Sequence, residues 1–197
     1  MNRNQISEDT IRILRNRVSL LPKGLRNHMF RVEEIGIEIA NDHNIPVNLV
    51  AYACLGHDIA RGMPENDLLN YAENNNIPID PIERQSPILL HGQVGSHILQ
   101  HEEHINEKEI LEAVWWHTTF QKNIGPIGQI TFLADKLDER KLKQYPFQEE
   151  IRSLAKVSLL KAIVTFLSKS ISTMIEKEQI VHPLAIETRN HLLQILK

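Results

Sequence analysis

His57 and Asp58 stand side by side within an apolar stretch, Leu49 to Ile59. Adjacent helical residues point about 100° apart, so the pair does not simply decorate one surface stripe. An imidazole supplies a neutral nitrogen ligand, and a carboxylate can bridge two ions, so a shared metal site is one chemistry open to this pair. Alone it is a weak signal, and its weight comes from other His and Asp residues in similar surroundings. His28 precedes the apolar positions Val32 and Ile35 and can face inward. His91 is followed by Gly92, Val94 and Gly95, whose small residues let helices approach closely. His117 closes a helical segment after Trp115 and Trp116, and Asp135 follows Phe132, Leu133 and Ala134. A buried carboxylate is costly without a partner charge or a metal. Taken singly, each residue has an ordinary explanation: a hydrogen-bonded core histidine, or Asp135 paired with Lys136 or capping a loop. Together, four histidines and two carboxylates suit two ions bridged by Asp58 and a hydroxide.

The remaining histidines read differently. His97, His101 and His104 fall at helical spacing and share one face. Gln100, Glu102, Glu103 and Asn106 surround them, so that face reads as solvated. His101-Glu102-Glu103-His104 fails the zinc-protease pattern, which needs His at position 105 and finds Ile105. His43 and His191 lie on polar helix ends and read as surface residues. Cys54 has no neighbouring base in sequence, so it does not read as a catalytic thiol.

Composition narrows the class. The chain has 197 residues, enough for one domain or one domain with a small appendage. Its 42% hydrophobic content supports a real core, and its net charge of −3 disfavours nucleic-acid capture as the main activity. A lone cysteine excludes an intramolecular disulfide and fits a reducing cytoplasm. The polar Met1 to Thr10 segment carries no apolar signal-peptide core. No stretch approaches the roughly 20 apolar residues that span a bilayer.

The elements that position these residues are helical nearly throughout. Ser7 can cap a helix reaching about Leu20, before Pro22. The spacing predicts a second helix from Gly24 to His43 and a third from Pro46 to near Gly62, carrying Cys54, His57 and Asp58. A fourth opens at Pro64 and runs through Leu68, Leu69 and Tyr71. Asn74 to Ser86 reads as a polar loop. Further helices are expected over His91 to His104, Ile110 to His117 behind an Asn106/Glu109 capping box, and Ile127 to Leu137. The tail adds Phe147 to Leu154, Val157 to Glu176 and Pro183 to Leu196. No run alternates long enough to make a strand. The expected architecture is all-α: an N-terminal helix over 1–20, then one compact helical domain over 21–197.

These residues resemble a known family. The chain is similar to the HD-domain metal-dependent phosphohydrolases, and among them to the YqeK-type symmetrical diadenosine tetraphosphate hydrolases. The resemblance spans about Leu21 to Asn190. It rests on His28 with Val32, Leu55-Gly56-His57-Asp58-Ile59-Ala60-Arg61, His91-Gly92 with Val94-Gly95, and Trp116-His117-Thr118-Thr119. It continues through Phe132-Leu133-Ala134-Asp135-Lys136, Val181-His182-Pro183 and Thr188-Arg189-Asn190. The HD pair is common to many phosphohydrolases, whereas the ordered set is more specific.

The resemblance implies a helical HD fold around one or two divalent ions, often iron, with manganese or another transition metal as alternatives. Their ligands would be His28, His57, Asp58, His91, His117 and Asp135, with Asp58, His91 and His117 nearest the reaction. It implies attack by a metal-bridging hydroxide on a central phosphorus, giving two ADP. Arg61, Thr118, Lys136, His182, Arg189 and Asn190 would face the nucleotide. The family's usual Arg three residues before the first His is Leu25 here, between Lys23 and Arg26 along the chain. Its Glu-Pro-Gly-type turn after the last Asp is replaced by Asp138, Glu139 and Arg140. Its Gly after His-Thr-Thr is replaced by Phe120. These differences are expected to act on the substrate pocket and not on the ligands. Two other readings stay open, an HD hydrolase of another phosphoester and a non-catalytic nucleotide sensor. A homodimer is compatible with either, and neither nucleic acid nor membrane is an expected partner.

Overall fold

The computed structural model describes residues 6–197; the first five residues of the expected N-terminal segment lie outside them. Among the described residues there are eleven α-helices, two 3₁₀ turns and no strand. The α-helices are α1 (Glu8–Ser19), α2 (Lys23–Asp42), α3 (Val47–Gly56), α4 (Glu65–Asn74), α5 (Pro81–Gln85) and α6 (His91–His101). They continue as α7 (Lys108–Trp116), α8 (Pro126–Lys136), α9 (Gln148–Ala155), α10 (Leu159–Glu176) and α11 (Pro183–Ile195). Among the described residues no helix is long and apolar enough to cross a membrane.

The core forms around α3. Its residues from Leu49 to Gly56 are all buried, and it packs against α1, α2, α7 and α8. A helix that is apolar all round has no solvent face to keep, so it becomes the axis of the domain. The surrounding helices are amphipathic and cap themselves locally. The Ser7 side chain accepts from Thr10 N at α1, and Ser158 does the same for Lys161 N at α10. Arg15 of α1 meets the buried Glu33 of α2 at 2.5 Å, tying the first helix to the body. The second layer is α10, which packs on α8, α9 and α11.

Several local expectations are corrected. The third helix stops at Gly56, not near Gly62, and His57 and Asp58 lie in the turn that follows. The polar loop contains α5, capped reciprocally by Asp80 and Glu83. The Asn106/Glu109 box does not form, because Glu107 holds the N-cap position and its carboxylate accepts from Asn106 N. α6 ends at His101, and His104 turns away with φ of 56°, so the three histidines do not share one helical face. His97 and His101 stack at 3.9 Å. His43 is half-buried and hydrogen-bonds the Ala155 carbonyl at 2.6 Å, joining α2 to α9.

One close approach matters for the site. A Cβ on Gly92 would lie 2.7 Å from the Trp115 carbonyl oxygen and 3.0 Å from that of Val114. The missing side chain lets the start of α6 lie on the last turn of α7, which brings His91 to His117. Gly92→Ala meets backbone that cannot give way. It should cost about 1–3 kcal/mol, read by thermal unfolding as a Tm lower by roughly 2–12 °C. An unchanged Tm would refute this account of the helix contact.

Candidate metal centre

Three histidines reach the centre by one device. His57 caps the end of α3, and its Nδ1–H donates to the Cys54 carbonyl at 2.7 Å. His117 caps α7 and donates to the Val114 carbonyl at 2.7 Å. His91 follows a 3₁₀ turn and donates to the Ile88 carbonyl at 2.5 Å. Each ring uses a carbonyl three residues back; those of Cys54 and Val114 lie in the last turn of a helix, where carbonyls lack intrahelical partners, and that of Ile88 also accepts the His91 backbone N–H. Each therefore presents a bare Nε2 in its neutral form. His28 on α2 achieves the same by donating Nδ1–H to the Asp138 carboxylate at 2.6 Å.

The four Nε2 atoms converge as two pairs. His28 and His57 lie 3.3 Å apart, His91 and His117 2.9 Å apart. Asp58 stands between them with one oxygen toward each pair. Its Oδ2 is 3.5 Å from both His28 and His57, while its Oδ1 is 3.0 Å from His91 and 3.4 Å from His117. Asp135 closes the first pair, with Oδ1 3.0 Å from His28 and 3.6 Å from His57. The structure thus brings all six expected residues together.

The donor set fits divalent metal ions. Donors about 2.1 Å from a common centre stand roughly 3.0–3.4 Å apart at octahedral or tetrahedral angles. The observed separations fall in or near that range. Two bare imidazole nitrogens facing each other at 2.9 Å need a proton or a cation between them. His28, His57 and Asp58 form one candidate triad, and Asp58, His91 and His117 the other. Imidazole with carboxylate suits borderline transition metals.

Without an ion, protons and lysines balance the charges. Burial works against a charged His57, yet the Asp58 and Asp135 carboxylates outweigh it and hold its pKa up to about 9. Burial also lowers His117, and His91 and His57 add to this, bringing it to about 4 against the pull of Asp58. Burial would raise both Asp58 and Asp135, but their cationic neighbours keep both well below the usual carboxylate range. Asp135 is gripped by Lys136 Nζ at 2.5 Å and also by Lys141.

The substrate-side residues divide. Arg61, Thr118 and Lys136 line a cleft of about 510 Å³ above the centre. An adjoining, mainly apolar cavity of about 320 Å³ is reached past Thr118, Lys136 and Tyr145, and His182 lines it. His182 Nε2 is buried without a hydrogen-bond partner among the described residues. Arg189 and Asn190 line neither space, contrary to expectation. Arg189 donates to Ser168 on α10 at 2.8 Å and to Asn190 at 3.1 Å, pinned there because α11 packs on α10.

The departure at Asp138 also acts elsewhere than expected. Asp138 is buried behind His28, takes two bonds from Arg31 at 2.8 Å, and accepts from Arg140 N. Gln148 braces the same turn through the Lys136 and Asp138 carbonyls. Arg31, one turn after His28, was the available sequence signal for a carboxylate at that place. Lys141, Gln144 and Tyr145 of the cleft were also missed, because they follow a turn with no motif. Phe120 adopts φ of 55° where glycine is more at ease, and packs on Phe132 with ring centroids 4.6 Å apart.

A model of the HD domain matches residues 25–140, more than half of the chain. The chain belongs to the HD-domain family. Two relatives of this HD domain carry the name symmetrical bis(5'-nucleosyl)-tetraphosphatase. The one from Halalkalibacterium halodurans is 28% identical over 84% of this chain and 87% of that protein. The one from Bacillus subtilis is 24% identical over the same shares. A crystal structure of an HD superfamily hydrolase from Clostridium acetobutylicum matches with a TM-score of 0.86 at 23% identity. That match covers 97% of this chain and 99% of the other.

Two outcomes test this geometry. Asp138→Asn removes the charge that orients His28, so metal affinity measured by competition with a chelator should fall about 10–100-fold. Metal binding requires a neutral His57 ring, whereas this protein holds it protonated at pH 7. Uptake should therefore release a proton, and affinity should rise about tenfold per pH unit up to about 9, then level off. Calorimetry in buffers of different ionisation enthalpy reads the proton directly. Affinity that is flat between pH 7 and 9 would contradict it.

Proposed function

We propose that this HD domain is a metal-dependent phosphohydrolase that cleaves dinucleoside tetraphosphates symmetrically, with diadenosine tetraphosphate giving two ADP. In this reading His28, His57, Asp58, His91, His117 and Asp135 hold one or two divalent ions. Iron is the first choice and manganese the second, since imidazole and carboxylate donors suit both. The observation that carries the reading is Asp58, whose two oxygens face separate histidine pairs at the floor of a cleft. The names of the two relatives support the substrate class.

When bound, the ions would supply a water of lowered pKa and neutralise charge on the phosphate oxygens. The chain's own residues do the rest. Asp58 ties the two histidine pairs into one unit, and Asp135 completes the His28/His57 pair. Lys136 and Lys141 carry positive charge to the cleft wall, and Arg61 extends it along the rim, where a guanidinium can grip phosphate bidentately. Thr118 stands between the cleft and the apolar cavity. That cavity receives a nucleoside against Phe132 and Phe166, with His182 Nε2 as its polar contact. His91 and His117, with Nδ1 protons committed to carbonyls, offer Nε2 as the donor atoms toward an ion at the reaction floor. The negative net charge and the lone buried thiol favour a cytoplasmic enzyme of small nucleotides.

Product chromatography tests the reaction. Two ADP are expected from diadenosine tetraphosphate, whereas AMP with ATP would place the attack at an outer phosphorus and reject symmetrical cleavage. Asp58→Ala should lose bound metal, and activity should fall by roughly 10³-fold or more. His101→Ala, on the exposed side of α6, should keep both. Equal metal loss in the two variants would mean that the wrong histidines were chosen.

A further inference from the structure

A second side cavity shares Gln144 and Tyr145 with the lining of the metal cleft. It measures about 350 Å³ and includes Gln144, Phe147, Thr173, Lys177 and Gln179 in its lining. Tyr145 lines the cleft and both side cavities. Gln144 continues from the cleft into this second cavity. Ser170 and Met174, one turn apart on α10, are shared by the two side cavities. A substrate cut at its centre has two halves that must both leave the cleft floor. Two cavities of different chemistry adjoin the cleft around one tyrosine.

The two side cavities are each at the small end of ligand sites, which suits a single nucleoside better than a whole dinucleotide. The first is chiefly apolar and aromatic. The second carries two amides, and an amide offers both a donor and an acceptor to a purine edge. Gln144 Nε2 is committed to the Tyr145 hydroxyl at 2.9 Å, which leaves its Oε1 as an acceptor. Phe147 supplies a ring, with Lys169 Nζ 5.8 Å from its centroid. Lys177 is an exposed cation at the end of α10.

We propose that this polar cavity is a second, non-equivalent nucleoside subsite, so that one chain holds both halves of a symmetrical dinucleoside polyphosphate in different surroundings. This rests on the reading of the protein as a dinucleoside tetraphosphate hydrolase. It adds that the second nucleoside is bound and does not trail into solvent. Discrimination against mononucleotides then comes from Gln144, Thr173 and Gln179, outside the metal centre.

Equilibrium binding to the metal-loaded protein tests it, using a non-hydrolysable methylene-bridged diadenosine tetraphosphate and adenosine 5'-tetraphosphate. The bridged dinucleotide should bind about tenfold or more tightly than the mononucleoside compound, the scale of one stacked and hydrogen-bonded base. Thr173→Trp, which fills the cavity, should erase most of that difference and leave adenosine tetraphosphate binding unchanged. Gln179→Ala, an exposed position with little bearing on folding, should reduce the difference in the same sense. Equal binding of the two ligands by the unaltered protein would overturn the proposal. So would equal weakening of both ligands, or of neither, in the variants. Symmetrical cleavage with equal binding would sink the subsite alone, whereas AMP with ATP as products would sink the parent reading.

Discussion

A buried carboxylate shared between two pairs of buried imidazoles is the constraint around which this domain is built. Asp58 is 7% exposed and His57 is fully buried. Neither can simply be hydrated. An isolated ionised group moved into such surroundings costs far more than a folded chain of this size can offset, so compensation must be local. The compensation available is other ionisable groups, and each brings its own desolvation cost. The six residues therefore form an all-or-none set. Remove one and the remainder are left with unmatched charge or facing lone pairs.

Such a set demands orientation as well as proximity, and the backbone provides it. Three of the four rings are steered by carbonyls three residues back, two of them at α-helix C-termini and one in the 3₁₀ turn before α6. A histidine at a helix C-terminus meets this need with its own Nδ1–H, and the fixed proton leaves Nε2 as the donor atom. His28 lies within α2, where the carbonyls are already spent. It borrows Asp138 instead, and Arg31 holds Asp138 in turn. Asp138 is thus a structural support for the centre, whereas Lys141, Gln144 and Tyr145 later in the same segment line the cleft.

This difference decides what could be read from the sequence. The six residues of the candidate centre were legible because they interrupt apolar helical patterns, and a burial cost points to a shared cause. The helix count was nearly legible too, since periodicity marks α2, α8 and α10 plainly. Element ends were less so. The apolar run through Ile59 hid the end of α3, because a fully buried helix and a fully buried turn look alike in composition. The Asp80/Glu83 box was missed within a polar, proline-bearing stretch, while the Asn106/Glu109 pattern lost to Glu107. Arg189 illustrates a further limit. A motif match can assign a residue type to phosphate, but only packing decides whether that side chain faces the cleft or a serine on the next helix.

The cost of the centre also accounts for where the rest of the chain is strict. α3 is buried on every side, so the turn carrying His57 and Asp58 starts from a rigid axis. Gly92 removes a side chain where α6 must touch α7 backbone. Phe120 accepts a left-handed conformation that costs of the order of 1–3 kcal/mol, and its buried ring against Phe132 offsets that strain. These three features share one purpose. Each bears on where a helix end, and with it an imidazole nitrogen, comes to lie. The linings of the side cavities draw on the turn around Tyr145 and on α10 and α11, joined in the apolar cavity by Ile88, Thr118, Phe132 and Lys136. In this molecule the candidate centre is held by helix ends around α3, and the outer helices supply much of the lining of the side cavities.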